Sequence, residues 1–195
     1  KDFDTDLVHE TAHLAEEPFL IQGKFSGTYR DLPEEVLATC MKKYQKVFAL
    51  RNAQGNLENR FVAVLNGRRG GLEAIRRDYE NVLGSRLRDA QYFYEEDTKE
   101  PLEKKVPRLK ELMFLGRLGT VEDRIHRLKK LAGDLASSSG HPEWKGVLER
   151  IALLSKADLV THMVGEFPEL QGVMGREYAR EGGESEEIAR AIGEQ

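Results

Sequence analysis

Between Leu72 and Tyr94 apolar residues return at steps of three and four: Leu72, Ile75, Tyr79, Val82, Leu83, Leu87, Ala90, Phe93 and Tyr94. An α-helix turns once per 3.6 residues, so this spacing draws one apolar stripe down a single long helix. From Gly70 onward the reading stays almost wholly helical. The expected class is mainly α, of the α+β kind: a small mixed α/β part at residues 1–69, then a helical part at 70–195.

In the first part, Asp6 to Glu17 reads as a short helix stopped by Pro18, which lacks a backbone donor and clashes with the preceding turn. Phe19-Leu20-Ile21 and Lys24-Phe25 read as strand broken at Gly23. Asp31 is the expected cap of a helix that opens at Leu32-Pro33-Glu34-Glu35 and runs to about Tyr44. Val47 to Leu50 and Arg60 to Leu65 read as strands of a hairpin, joined through the turn residues Asn52 to Asn56. In the second part, Thr120 and Asp123 form a near capping box ahead of a helix with Ile125, Leu128 and Leu131 on its inner face. Ala136 to Gly140 reads as a flexible serine loop and Trp144 to Val164 as a long helix. Leu170 to Ala179 follows the break at Pro168, and Glu184 to Glu194 is a polar last helix.

Nothing approaches the roughly 18 consecutive apolar residues of a membrane span. The opening Lys1-Asp2-Phe3-Asp4 has no apolar stretch of a signal peptide, so a cytoplasmic setting with no membrane partner is expected. Without an initiator Met, the chain reads as a piece of a longer one. The single cysteine, Cys40, excludes an internal disulfide and a cysteine-rich zinc site, and no histidine near it suits nucleophile activation. A net charge of −4 argues against wholesale attraction to nucleic acid. Any RNA contact must come from a local cluster, because each neutralised phosphate needs its own cation.

Two such clusters stand out. Arg68, Arg69, Arg76 and Arg77 lie at the start of the long helix, within a run that also holds Arg60, Arg86 and Arg88. Lys42, Lys43 and Lys46 flank Tyr44, a ring able to stack on a base. The plainer reading of both is a solvated face balanced by nearby carboxylates. Gly67-Arg68-Arg69-Gly70-Gly71 is too weak a pattern for a phosphate loop. Tyr92-Phe93-Tyr94 beside Glu95-Glu96-Asp97 reads as a helix end anchored by aromatics with its acids left in water. A functional version would turn those carboxylates toward a partner subunit or an RNA hydroxyl.

The most distinctive segment runs from Lys156 to Ala179. Gly165 and Pro168 make a sharp break between helices, and Gly172 and Gly175 offer a smooth face for another backbone. Glu166 and Gln171 flank the break. On chemistry alone this is a tight helix–helix corner. The run Val164-Gly165-Glu166-Phe167-Pro168-Glu169-Leu170-Gln171-Gly172-Val173-Met174-Gly175 also resembles the hallmark stretch of the bacterial-type glycyl-tRNA synthetase beta subunit. Leu32 to Leu37 with Met41 to Phe48, Arg86 to Asp97, and Pro101-Leu102-Glu103 leading to Leu118-Gly119-Thr120 match that family in order.

The resemblance implies an internal fragment of such a subunit, within a heterotetramer of alpha and beta subunits that charges tRNA for glycine. The alpha subunit would hold ATP with Mg and glycine; the fragment itself would carry no cofactor, no metal and no catalytic residue. The helical part 70–195 would be an HD-related domain. A working HD phosphohydrolase needs two separated histidines, a His-Asp pair and a later Asp to hold its cation. This sequence has no His-Asp dipeptide; Asp158 is the only carboxylate near that place, and in the stretch Arg124-Ile125-His126-Arg127-Leu128 arginine stands where the first ligand would fall. The site therefore reads as degenerate, with His126 and His162 as ordinary helix residues. Two rivals stay open: an HD-type metal-dependent phosphohydrolase, and a helical protein-interaction module.

Overall fold

A computed structural model describes residues 4–67 and 70–195. The chain divides into two compact units, Lys1–Tyr92 and Phe93–Gln195. The sequence reading divides the chain at 69/70, where the long helix is about to begin. The packing divides it inside that helix instead.

In the first unit, α1 (Thr5–Leu14) starts at Asp4, whose side chain accepts the Leu7 amide at 3.0 Å. A three-stranded antiparallel sheet follows in the order β1-β3-β2: β1 (Pro18–Lys24), β2 (Phe48–Arg51) and β3 (Leu57–Asn66). Gly23 does not break β1. It sits inside the strand opposite Phe61, and a Cβ there would lie 2.3 Å from the phenyl Cζ. The glycine makes room for a ring in the core, which is why a strand interior tolerates it. The β2–β3 hairpin forms as expected, with the Asn52 carboxamide oxygen accepting the Gln54 and Asn56 amides at 3.0 Å each.

Between β1 and β2, α2 (Glu34–Gln45) starts at Pro33 with no side-chain cap. Asp31 is not the cap, because a 3-10 turn at Gly27–Asp31 ends there and Pro33 separates it from the helix. The first core gathers Ile21, Val36, Leu37, Cys40, Met41, Phe61, Leu83 and Leu87. α3 (Leu72–Thr98) realises the long stripe through Leu83, Leu87 and Ala90, but Val82 is 48% exposed and falls off it.

The second unit is helical apart from a small β4–β5 pairing (Met113–Leu115 with Gly119–Thr120), absent from the sequence reading. After α4 (Leu102–Lys105), α5 (Val121–Ser138) begins at Thr120 with a complete capping box. Thr120 Oγ1 accepts the Asp123 amide at 3.2 Å, and Asp123 Oδ2 accepts the Thr120 amide at 2.8 Å. Ile125 is buried, but Leu131 is 53% exposed and does not belong to the inner face. Residues 136–138 are helix rather than loop; their seryl hydroxyls satisfy carbonyls three or four residues back.

The expected single helix from Trp144 to Val164 is three pieces: α6 (Lys145–Leu154), a 3-10 turn at Ala157–Val160, and α7 (His162–Glu166). Thr161 causes the last break. Its hydroxyl donates to the Asp158 carbonyl at 2.6 Å and accepts the Val164 amide at 3.3 Å, which starts a new helix instead of continuing the old. After a turn at Pro168–Leu170 come α8 (Val173–Glu181) and α9 (Glu186–Gly193). Leu109, Ile125, Leu154, Met163, Phe167, Met174 and Ile192 fill this core.

Candidate functional site

Two buried carboxylates hold the corner that the glycine- and proline-rich segment builds. Asp97, near the end of α3, is 1% exposed. Its Oδ1 accepts the His162 amide and its Oδ2 the Met163 amide, both at 2.9 Å, and Oδ2 also accepts the Tyr178 hydroxyl at 3.0 Å. With Thr161 on the Val164 amide, the first three amides of α7 all have partners. A carboxylate at this end also faces the positive pole of the helix. The expectation that Asp97 stays in water with Glu95 and Glu96 is thus overturned. The aromatic half of that expectation holds only in part: half-buried Phe93 stacks on His162 at 6.2 Å and half-buried Tyr94 meets Tyr178 at 5.7 Å, but Tyr92 is 58% exposed.

Asp158 does the same for α8. Its Oδ2 accepts the Gly172 amide at 2.6 Å and the Gly175 amide at 3.2 Å. Gly172 caps the helix at φ +82°, a conformation favouring glycine, and Gly175 has no space for a Cβ between Ile192 (2.8 Å) and Asp158 Oδ2 (3.1 Å). The smooth face expected of these glycines is real: it receives the end of α9, with the Gly193 carbonyl 3.5 Å from where a Gly172 Cβ would be. Gly172 lies before α8 rather than on it. Phe167 is buried, whereas Gly165, Glu166, Pro168 and Gln171 face outward. Burial drives the Asp158 carboxyl above its ordinary 3.8 despite the two amides and nearby Lys156, and its Oδ1 is buried with no hydrogen-bond partner.

Among the residues weighed for metal chemistry, Asp158 is fully buried, while His126 and His162 are exposed. Asp158 Oδ2 is taken by two backbone amides, and among the described residues no group of three His, Cys, Asp or Glu is placed to hold a metal ion. The arrangement acts as a pair of clamps that fix α7 and α8.

The basic residues divide by whether acids answer them. Lys42 pairs with Asp4 at 2.8 Å and Lys46 with Glu10 at 3.0 Å, both acids supplied by the start and body of α1. Lys43 lies over the Tyr44 ring at 5.9 Å, and Arg86 covers the same ring at 4.5 Å. Arg76 pairs with Glu73 at 2.5 Å. Arg68 and Arg69 lie outside the described residues. Arg77 and Arg88 are exposed and make no ion pair with any described residue. They share the outer face of α3 with Asn81 and Ser85, about 17 Å apart along the helix axis. Arg88 belongs to the basic run in the sequence; only the helical register shows that it aligns with Arg77.

A model of the family described as glycyl-tRNA synthetase beta subunit matches residues 1–195. The chain is 45% identical over 190 residues to the glycine–tRNA ligase beta subunit of Desulforamulus reducens, covering 97% of this chain and 27% of that protein. Identity to the same subunit of Dictyoglomus thermophilum is 43% over 194 residues, 99% of this chain and 28% of the relative. For Bacillus subtilis it is 41% over 192 residues, 98% of this chain and 28% of the relative. The chain thus spans little more than a quarter of the length of these curated relatives.

Proposed function

The chain belongs to the glycyl-tRNA synthetase beta-subunit family, and from that premise we propose that it is a tRNA-holding portion of a glycine–tRNA ligase. The partners are tRNA for glycine and an alpha subunit, in a heterotetramer in the cytoplasm. ATP with Mg and glycine are handled on the alpha subunit, and this chain contributes grip and scaffold. Among the described residues no helix is long and apolar enough to cross a membrane.

The observation that carries the reading is the outer face of α3. Two arginines with no ion-pair partner among the described residues, separated by the hydrogen-bonding side chains of Asn81 and Ser85, line one side of the helix. Guanidinium forks suit phosphate oxygens, and an unanswered cation gains most by releasing the counterions condensed on RNA. The buried clamps at Asp97 and Asp158 support a scaffolding role for the second unit, since their oxygens serve helix ends.

The test is tRNA binding across a salt series for the chain and for an Arg77→Glu/Arg88→Glu variant. The variant should bind more weakly, and its salt slope should fall by about one for each phosphate no longer neutralised. Unchanged affinity and slope would remove this face from RNA recognition.

A further inference from the structure

We propose that the β4–β5 hairpin and a cationic ridge on α5 form a surface for the phosphates of an RNA backbone; this rests on the tRNA reading above and adds a place for it in the second unit. Residues 104–130 hold nine Lys and Arg against three Asp and Glu, in a chain whose net charge is −4. The positive charge is concentrated in this stretch, and folding leaves much of it unanswered. The Leu118 amide donates to the Leu115 carbonyl at 2.8 Å, closing a tight turn with Gly116 and Arg117 at the hairpin tip. Arg117 is exposed and makes no ion pair with any described residue. Two arginines of α5 are held beside the hairpin by uncharged partners. The Arg124 guanidinium lies 4.4 Å from the centre of the Phe114 ring, and Arg127 Nη2 donates to the Leu118 carbonyl at 2.8 Å. A ring face and a carbonyl orient a guanidinium without cancelling its charge.

Lys130, exposed and likewise without an ion pair among the described residues, extends the row. Arg124, Arg127 and Lys130 are three residues apart, so each step climbs about 4.5 Å along α5 and shifts about 60° around it. They form a slanting ridge that begins at the hairpin. Two acids border it. Asp123 Oδ2 accepts the Thr120 amide at 2.8 Å and the Thr120 hydroxyl at 2.9 Å and keeps its charge; Asp134 is exposed one turn beyond Lys130. Four cations against these two carboxylates leave a positive surplus. Lys156 feels the same field: burial holds its ammonium below the ordinary 10.5, Asp158 opposes that, and Arg124 adds to it. A phosphate backbone brought to the ridge relieves this repulsion and releases its own counterions. Met113, Leu115 and Leu118 are exposed on the same hairpin and would suit a protein partner. The surplus decides for phosphate oxygens, which guanidinium forks match in shape as well as charge.

The 195-residue chain is titrated with a labelled tRNA-glycine transcript and with an unrelated tRNA transcript over a series of salt concentrations. Arg117→Gln removes one exposed charge and should lower the salt slope of binding by about one. Arg117→Gln/Arg127→Gln/Lys130→Gln should lower it by about three, with urea unfolding showing that the variant is folded. Asp134→Asn, which enlarges the surplus, should tighten binding. Both transcripts should lose affinity by the same factor in the triple variant, because phosphate contacts carry no sequence information. An unchanged slope in the Arg117→Gln and triple variants, or a loss confined to the glycine transcript, would overturn the phosphate surface and leave the tRNA reading standing. No binding of either transcript by the native chain would sink both. If the triple variant lost capture of the purified alpha subunit while binding RNA as before, the hairpin would be a protein contact and the proposal overturned.

Discussion

The Tyr178 hydroxyl donates to the Asp97 carboxylate at 3.0 Å across 81 residues of chain, and both groups are buried. Burial, reinforced by the Asp97 charge, pushes the phenol well above its ordinary 10.0, so Tyr178 remains a donor at any working pH. Tyr178→Phe removes one bond to a charged group and should cost about 1.5–3 kcal/mol. Asp97→Ala leaves two helix amides and a phenol without partners and should cost more, about 3 kcal/mol or above. Urea unfolding of both variants checks the order; an Asp97→Ala cost below that of Tyr178→Phe would contradict the clamp.

Asp158 makes a prediction about pH. Burial raises its folded pKa above the ordinary 3.8, so between those two values the folded protein binds more protons than the unfolded chain. Stability from this group is then greatest below the unfolded pKa and is lost as pH rises through the folded one. Asp158→Asn keeps an acceptor for Gly172 and Gly175 but cannot ionise. Its stability relative to the native chain should therefore improve as pH rises from about 4 toward neutrality. Unfolding curves over that range settle the matter, and a difference that does not vary with pH would contradict it.

Space at two glycines predicts a pair of steric effects. A Cβ at Gly23 would meet the Phe61 ring at 2.3 Å, and one at Gly175 would meet Ile192 at 2.8 Å. Gly23→Ala and Gly175→Ala should each destabilise by about 1–3 kcal/mol through overpacking. Trimming the opposed side chain separates overpacking from lost flexibility. In a Phe61→Leu background Gly23→Ala should cost less than in the native chain, a coupling readable by a double-mutant cycle. Equal costs in both backgrounds would mean the ring is not what Gly23 accommodates.

What the sequence discloses and what it hides differ by range. The Thr120–Asp123 capping box and the Asn52–Asn56 turn are legible because their partners lie within four residues. Asp97 is misread from sequence because its partners lie 65, 66 and 81 residues away, so only tertiary structure distinguishes it from Glu95 and Glu96. Asp158 stands out by its type, but its use on the Gly172 and Gly175 amides depends on the chain doubling back after Pro168. The break before α7 is hidden by apolar residues that continue a helical spacing, while Thr161 redirects the backbone locally. The β4–β5 pairing is too short to show a period of two.

Lysine neutralisation supplies the last prediction. Lys42 and Lys46 are answered by Asp4 and Glu10, and hydrogen bonding between Lys42 and Asp4 raises the lysine pKa and lowers that of the acid. Removing both lysines therefore frees two acids of α1 rather than withdrawing two free cations. The part of α1's attachment carried by Lys42–Asp4 is present above the unfolded Asp pKa and fades as pH falls through the lower folded one. Lys42→Met/Lys46→Met should speed amide exchange in Thr5–Leu14, because the tethers from α2 and its cap are gone. On the proposed function, the same variant should leave the salt slope of tRNA binding close to that of the native chain, whereas the Arg77/Arg88 reversal should lower it. A slope that falls equally in both variants would mean that RNA competes successfully with the α1 acids, and that the cations of α2 belong to the binding surface after all.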